Sequence, residues 1–293
     1  MRIKGGMLVM KKFLCALVMV LVFSAAVFAK DSHKVGMVER LNVTPQEFNK
    51  MLTTAVHAVI LANNPDKPEF FFYRSMNQMI MALNAGEIDE ILMPEAVAEY
   101  FLNTNPDYII NCAVMTPKDP YLLSFGFNAD HKELCESFDK TIAEMKRDGT
   151  LITLQGKYIL GVDTAVMEER YITNPDLQNI PPVMFREFPG APEIKAAVTG
   201  DMPPIDYIAA DGSAEGFNAA ILAEIAGRLG INVRLQNIES GARAAMLSSG
   251  RSDVVFWFEH KRNGSTNHDV PEGVILSEPY YQFDTFYHLK PAK

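Results

Sequence analysis

From residue 34 onward, short runs of consecutive apolar residues alternate with stretches whose apolar positions recur every three or four residues. The first pattern reads as strands buried on both faces, the second as helices with one core face. In the first part of the chain this predicts strands at 35–38, 70–73, 88–93 and 108–115, with helices at 45–62, 76–83 and 95–102 between them. Thr44-Pro45-Gln46-Glu47 suits a helix start, with a hydroxyl at the cap, proline next and glutamate three residues after the cap. Residues 133–147 add an amphipathic helix that places Leu134, Phe138, Ile142 and Met145 on one face and ends at Gly149. Residues 161–192 lose periodicity and carry Pro175, Pro181, Pro182, Pro189 and Pro192, the mark of a connector.

Beyond the connector a second alternation predicts strands at 194–198, 232–235 and 254–258 and helices at 219–229 and 242–247. Pro203-Pro204 marks a turn, Asp211-Gly212 a hairpin-like turn, and Gly230 a helix stop. The fold class is therefore α/β, with mainly parallel sheets flanked by helices. Two such units separated by a connector imply two lobes, and no 20- to 50-residue period suggests a solenoid.

The amino terminus changes the picture of where the chain works. Arg2, Lys4, Lys11 and Lys12 precede an uncharged apolar run at 13–28, and Val27-Phe28-Ala29 offers small side chains where a signal peptidase reads. Residues 1–29 are expected to be a signal peptide cleaved after Ala29, which places the protein in the periplasm. Cys15 lies too early in the run for a lipid-attachment site. Cleavage removes four basic and no acidic residues, taking the formal charge from −9 to −13. Such a surface argues against a nucleic-acid partner.

Cys112 and Cys135 are the cysteines beyond the leader, and an oxidising compartment allows them either to pair or to remain buried thiols. The six histidines, His57 among them, show no pair at metal-ligand spacing on a helix, so no metal or other cofactor is expected. P-loop, dinucleotide-binding and nucleophile-elbow motifs are missing from the sequence.

Two stretches are similar to family 3 of the bacterial extracellular solute-binding proteins, the type II periplasmic-binding proteins of polar amino-acid importers. One combines Leu83-Asn84-Ala85-Gly86-Glu87-Ile88-Asp89 with residues 134–158, including EMKRDGTLITLQGKY. The other runs over 194–281 and includes AVTGDMPPIDYIAADGSAEGFNAAILAEIAGRLG and SEPYY. The resemblance places these stretches in reversed order, which implies a circular permutation. The expected layout is lobe A at 34–115, lobe B at 116–160 plus 190–293, and a connector at 161–189. A single covalent strand near 114–121 would then join the lobes.

In such folds a ligand sits between the lobes, where strand ends and helix starts converge. Lobe B offers Asp201, Met202 and Tyr207 around the proline turn, and Trp257, Phe258 and Glu259 after a strand. Arg262, beside Lys261, lies near the place where the family carries an arginine for the ligand's α-carboxylate. Lobe A offers Glu39, Asn42 and Thr44, then Arg74 and Ser75 beside Tyr73, and Met93. Two positions depart from the family: Pro94 stands where an ammonium-binding aspartate is usual, and Asn218 interrupts the run after Gly216-Phe217.

The resemblance implies a monomeric protein that captures a small polar, amino-acid-like ligand and delivers it to the membrane permease of an ABC importer. The alternatives are a dehydratase-like enzyme on the same fold, with Glu39 or Glu259 as general acid, and a ligand-sensing module for a membrane receptor.

Overall fold

The computed structural model describes residues 33–38, 46, 49, 68–115, 120–159, 182–260, 270 and 272–293, with backbone only at 257–260. The expected signal peptide, most of the 45–62 helix and residues 161–181 of the connector lie outside these, as do Glu39, Asn42, Thr44, His57 and Arg262.

The first lobe is built on a five-stranded sheet. Its early strands are β1 (His33–Val38), β2 (Pro68–Tyr73), β3 (Glu90–Pro94) and β4 (Tyr108–Met115), with helices α1 (Met76–Asn84) and α2 (Glu95–Thr104). β1 pairs in parallel with both β2 and β3. The fifth strand comes from the far end of the chain: β14 (Thr285–Pro291) lies between β3 and β4, antiparallel to each. This corrects the expected assignment of all of 190–293 to lobe B. Leu289 is fully enclosed and Phe286 joins the main core, so burial holds β14 at an interior position of this sheet.

The second lobe begins with β5 (Tyr121–Asn128), then α3 (Lys132–Arg147) and α4 (Thr150–Tyr158). It continues through β6 (Glu193–Val198), the short strands β7 (Asp201–Met202), β8 (Asp206–Ile208) and β9 (Ala214–Glu215), and α5 (Phe217–Leu229). β10 (Asn232–Asn237), α6 (Arg243–Ser248), β11 (Val254–His260), β12 (Val274–Leu276) and β13 (Tyr281–Phe283) complete it. The sheet order is β10-β6-β11-β5-β12, with β13 also on β5. β10, β6 and β11 run parallel, whereas β5 is antiparallel to β11, β12 and β13.

Two covalent connections therefore cross between the lobes, one from β4 to β5 and one from β13 to β14. The expectation of a single strand is corrected for the same reason that moved β14.

α3 shows how sequence pattern becomes packing. Phe138, Ile142 and Met145 are fully buried, and the Phe138 ring meets Phe125 and Phe127 edge-on at 5.1 Å each. Burying each such side chain contributes roughly 1.5–3 kcal/mol. Lys146 and Arg147 sit in its last turn, where cations complement the helix dipole. Gly149, at φ 82°, allows the sharp corner into α4. Arg228 of α5 donates to Asp148 at 2.8 Å and fixes that corner.

α5 starts against the proline turn. Phe217 N donates to Pro204 O at 3.1 Å and Asn218 N to Ile205 O at 2.8 Å, which satisfies amide groups that a helix start leaves unpaired. A Cβ on Gly216 would lie 2.6 Å from Pro204 O, so the close approach requires glycine. Among the described residues no helix is long and apolar enough to cross a membrane.

Candidate functional site

The β7–β8 hairpin carries three of the expected site residues toward the first lobe. Asp201 pairs with Tyr207 and Met202 with Asp206 across it. Ser240 Oγ donates to Asp201 Oδ2 at 3.2 Å, holding the aspartate at the edge of the second sheet. Met202 is half-buried against the main core, and α1 of the first lobe approaches β7. The Tyr207 hydroxyl is pushed up to about 12 by burial, then by Glu215 and by Tyr100 and Tyr158. Tyr100 belongs to α2, so Tyr207 lies where the lobes meet.

Other expected residues have different surroundings. Ser75 caps α1, its Oγ accepting from Gln78 N at 3.3 Å, and Arg74 is exposed beside it. Met93 is 1% exposed and packs in the core, since alternation along β3 turns Ile91 and Met93 inward together. That burial removes Met93 from the set of surface contacts. Trp257, Phe258 and Glu259 lie on β11 in register with Ser124, Leu123 and Leu122.

A cavity of about 730 Å³ opens between the lobes beside the second crossover. The first lobe lines it with Glu95, Ala96 and Glu99 of α2; the second adds Leu122, Lys146, Gln155 and Ile159. Residues 279–285 close it along the crossover. Leu122 is the register partner of Glu259, so the end of β11 reaches the level of the cavity.

Its electrostatics are dominated by carboxylates. Tyr287 OH donates to Glu95 Oε1 at 3.0 Å, and its own hydroxyl is pushed up to about 12 by burial, by that bond and by the charges of Glu95 and Glu99. Burial raises the Glu99 carboxyl above its ordinary range, and Glu95 one turn away raises it further. Tyr281 is raised by burial and then by Glu95, Asp284 and Glu99. Tyr280 is buried and donates to Asn218 Oδ1 at 2.9 Å, linking this wall to the first turn of α5.

Glu95 and Glu99 were not among the expected site residues. The available signal was their four-residue spacing at the start of a helix that follows a parallel strand. Among the described residues no group of three His, Cys, Asp or Glu side chains is placed to hold a metal ion.

Residues 194–263 match the model of the bacterial extracellular solute-binding proteins, family 3. No characterised protein matched the chain in sequence. Among solved structures, the chain is similar to the PBP AgaA from A. tumefaciens R10 in complex with agropinic acid. That match has 11% identity and a TM-score of 0.40, covering 78% of this chain and 55% of AgaA. It is also similar to the periplasmic aliphatic sulphonate binding protein SsuA from Escherichia coli, at 12% identity and a TM-score of 0.41, covering 90% and 66%. A periplasmic binding protein from Brucella ovis with glutathione bound gives 14% identity and a TM-score of 0.41, covering 92% and 65%. The chain thus spans between half and two thirds of the length of these proteins.

Proposed function

We propose that this protein is a periplasmic solute-binding protein that takes a small polar, amino-acid-like ligand between its lobes and delivers it, as a monomer, to an ABC permease. The observation that carries this reading is the cavity lined by both lobes beside one of two crossovers. Two sheets joined by two strands can rotate as rigid bodies about the crossovers, and a ligand touching both would favour the closed arrangement. The family match at 194–263 supports the reading, since it covers the part of the second lobe from β6 to β11.

We read the order of the two stretches that resemble the family, 83–158 before 194–281, as a circular permutation. The hairpin residues Asp201 and Tyr207, together with Glu95, Glu99 and the end of β11 at Glu259, form the proposed ligand-contacting set. Arg262, Glu39, Asn42 and Thr44 remain proposed contacts from the sequence.

The test is thermal unfolding of the purified protein against amino acids, dipeptides, opines, small carboxylates and amines. A ligand at 100 times its dissociation constant stabilises the native state by about 2.7 kcal/mol. A raised midpoint with the compound recovered unchanged supports binding. Consumption of the compound, or no shift with the panel and with concentrated periplasmic solutes, overturns it.

A further inference from the structure

The side chain of Asp206 ties the β7–β8 hairpin to the chain that enters it. Its Oδ2 accepts from Thr199 N at 3.1 Å and from Thr199 Oγ1 at 2.9 Å, just before the hairpin begins. Its backbone pairs with Met202 on the opposite strand. The tip of the hairpin is fixed separately, because Pro204 O and Ile205 O accept from the first amides of α5. The leading arm, from Thr199 to Met202, is held by the Asp206 side chain, by pairing with β8 and by the bond from Ser240 to Asp201.

Ionisation of Asp206 is penalised where it stands. The residue is 2% exposed, and its Oδ1 is buried without a hydrogen-bond partner, so one carboxylate oxygen loses water on folding and gains no donor. Asp201, on the arm itself, acts on it as a like charge. Tyr280, whose hydroxyl donates to Asn218 of α5, stands within its field. The neutral acid escapes the burial and repulsion penalties and still accepts from Thr199.

We propose that Asp206 is a proton switch under the leading arm: protonated, it seats Thr199 to Met202 against the hairpin, and ionised, it lets the arm open to water. The arm carries Asp201, so the switch regulates the proposed ligand site and on that point rests on the solute-binding reading. A carboxyl that keeps its proton while buried ionises freely once the arm opens, so opening becomes easier as pH rises. Burial, against the two bonds from Thr199 and with the charge of Asp201, moves the group from 3.8 to about 6. With those values the open fraction should rise about tenfold between pH 5 and 7.5.

The experiment is hydrogen exchange on the protein without ligand, so its outcome does not depend on whether the site binds a solute. After correction for the intrinsic pH dependence of exchange, protection of the Thr199 amide should fall about tenfold from pH 5 to 7.5, and in Asp206→Asn, which cannot ionise, it should stay level. In dilute urea the Thr199 amide should exchange at an unchanged rate while that of Ile142, in the middle of α3, accelerates, which separates opening of the arm from global unfolding. Should the variant fail to fold, the carbon-13 shift of the Asp206 carboxyl in the parent protein decides: a midpoint at about 6 supports the switch and one at about 4 overturns it. Thr199 protection that ignores pH in the parent, or falls equally in Asp206→Asn, overturns it, as does Thr199 exchange that tracks Ile142 in urea.

Discussion

The carboxylate of Glu90 on β3 lies 3.0 Å from His288 Nδ1 on β14. His33 Nε2 of β1 is also 3.0 Å from that same oxygen, Oε2, so one side chain links three strands of the first sheet. Asn111 of β4 donates to the second oxygen of Glu90, and Lys290 Nζ donates to Asn111 Oδ1 at 2.7 Å. Glu90 and His288 are 2% and 1% exposed.

This arrangement predicts an acid-sensitive first lobe. Burial alone would raise the Glu90 carboxyl, but hydrogen bonds from His288 and His33 outweigh it and hold the group at about 2, against an ordinary 4.5. A folded value below the unfolded one means that the stabilisation is complete above about pH 4.5 and is lost as pH falls toward 2. Glu90→Gln should cost on the order of 2–3 kcal/mol at pH 7, and less as pH drops below 4.5. Urea midpoints of the two proteins between pH 3 and 7 check this; parallel profiles would refute it.

Asp206 has the opposite sign. Its Oδ2 accepts from Thr199 N at 3.1 Å and Thr199 Oγ1 at 2.9 Å, while Oδ1 is buried without a partner. Burial raises the group to about 6 despite those bonds, with Asp201 adding to the rise. Because the folded value exceeds the unfolded one, its contribution is fully present below about pH 3.8 and is lost as pH rises through 6. Asp206→Asn should therefore gain roughly 1–3 kcal/mol at pH 7.5 relative to its effect at pH 4. Equal effects at the two pH values would sink the argument.

Gly216→Ala should destabilise the second lobe by about 2–4 kcal/mol, because a Cβ would press on Pro204 O at a φ of 96°. Chemical denaturation measures the loss. A change under 0.5 kcal/mol would show that the turn can yield.

The two cysteines should differ in reactivity. Both are free thiols, Cys112 half-buried on β4 and Cys135 buried on α3, in different lobes. Burial pushes Cys135 up to about 12, with Asp139 and Glu136 adding to it. Iodoacetamide at pH 8 should label Cys112 at least tenfold faster in the native protein and both alike in urea. Peptide mapping reads the ratio, and equal native rates would be the contrary result.

Local pattern revealed much of the architecture, but not how its pieces pair. β4 matches the predicted 108–115 span, and Phe138, Ile142 and Met145 of α3 are buried together as their spacing predicts. β5 was missed because Ser124 and Gly126 interrupt its apolar run, and both are buried only once β11, β12 and β13 assemble around them. β14 carries His288, Lys290 and Pro291, an unremarkable sequence whose sheet is fixed by partners far away in the chain. Glu95 and Glu99 were legible as one helix face, yet only the opposing lobe turns that face into a cavity wall.

β1 and β14 belong to the same lobe, and that has a practical consequence for watching the protein move. Fluorophores attached near His33 and near Lys293 would travel together through any opening or closing, so energy transfer between them would stay constant. A reporter pair must instead place one dye on the first lobe, at exposed Arg74, and the other on the exposed surface of the second, at Lys132.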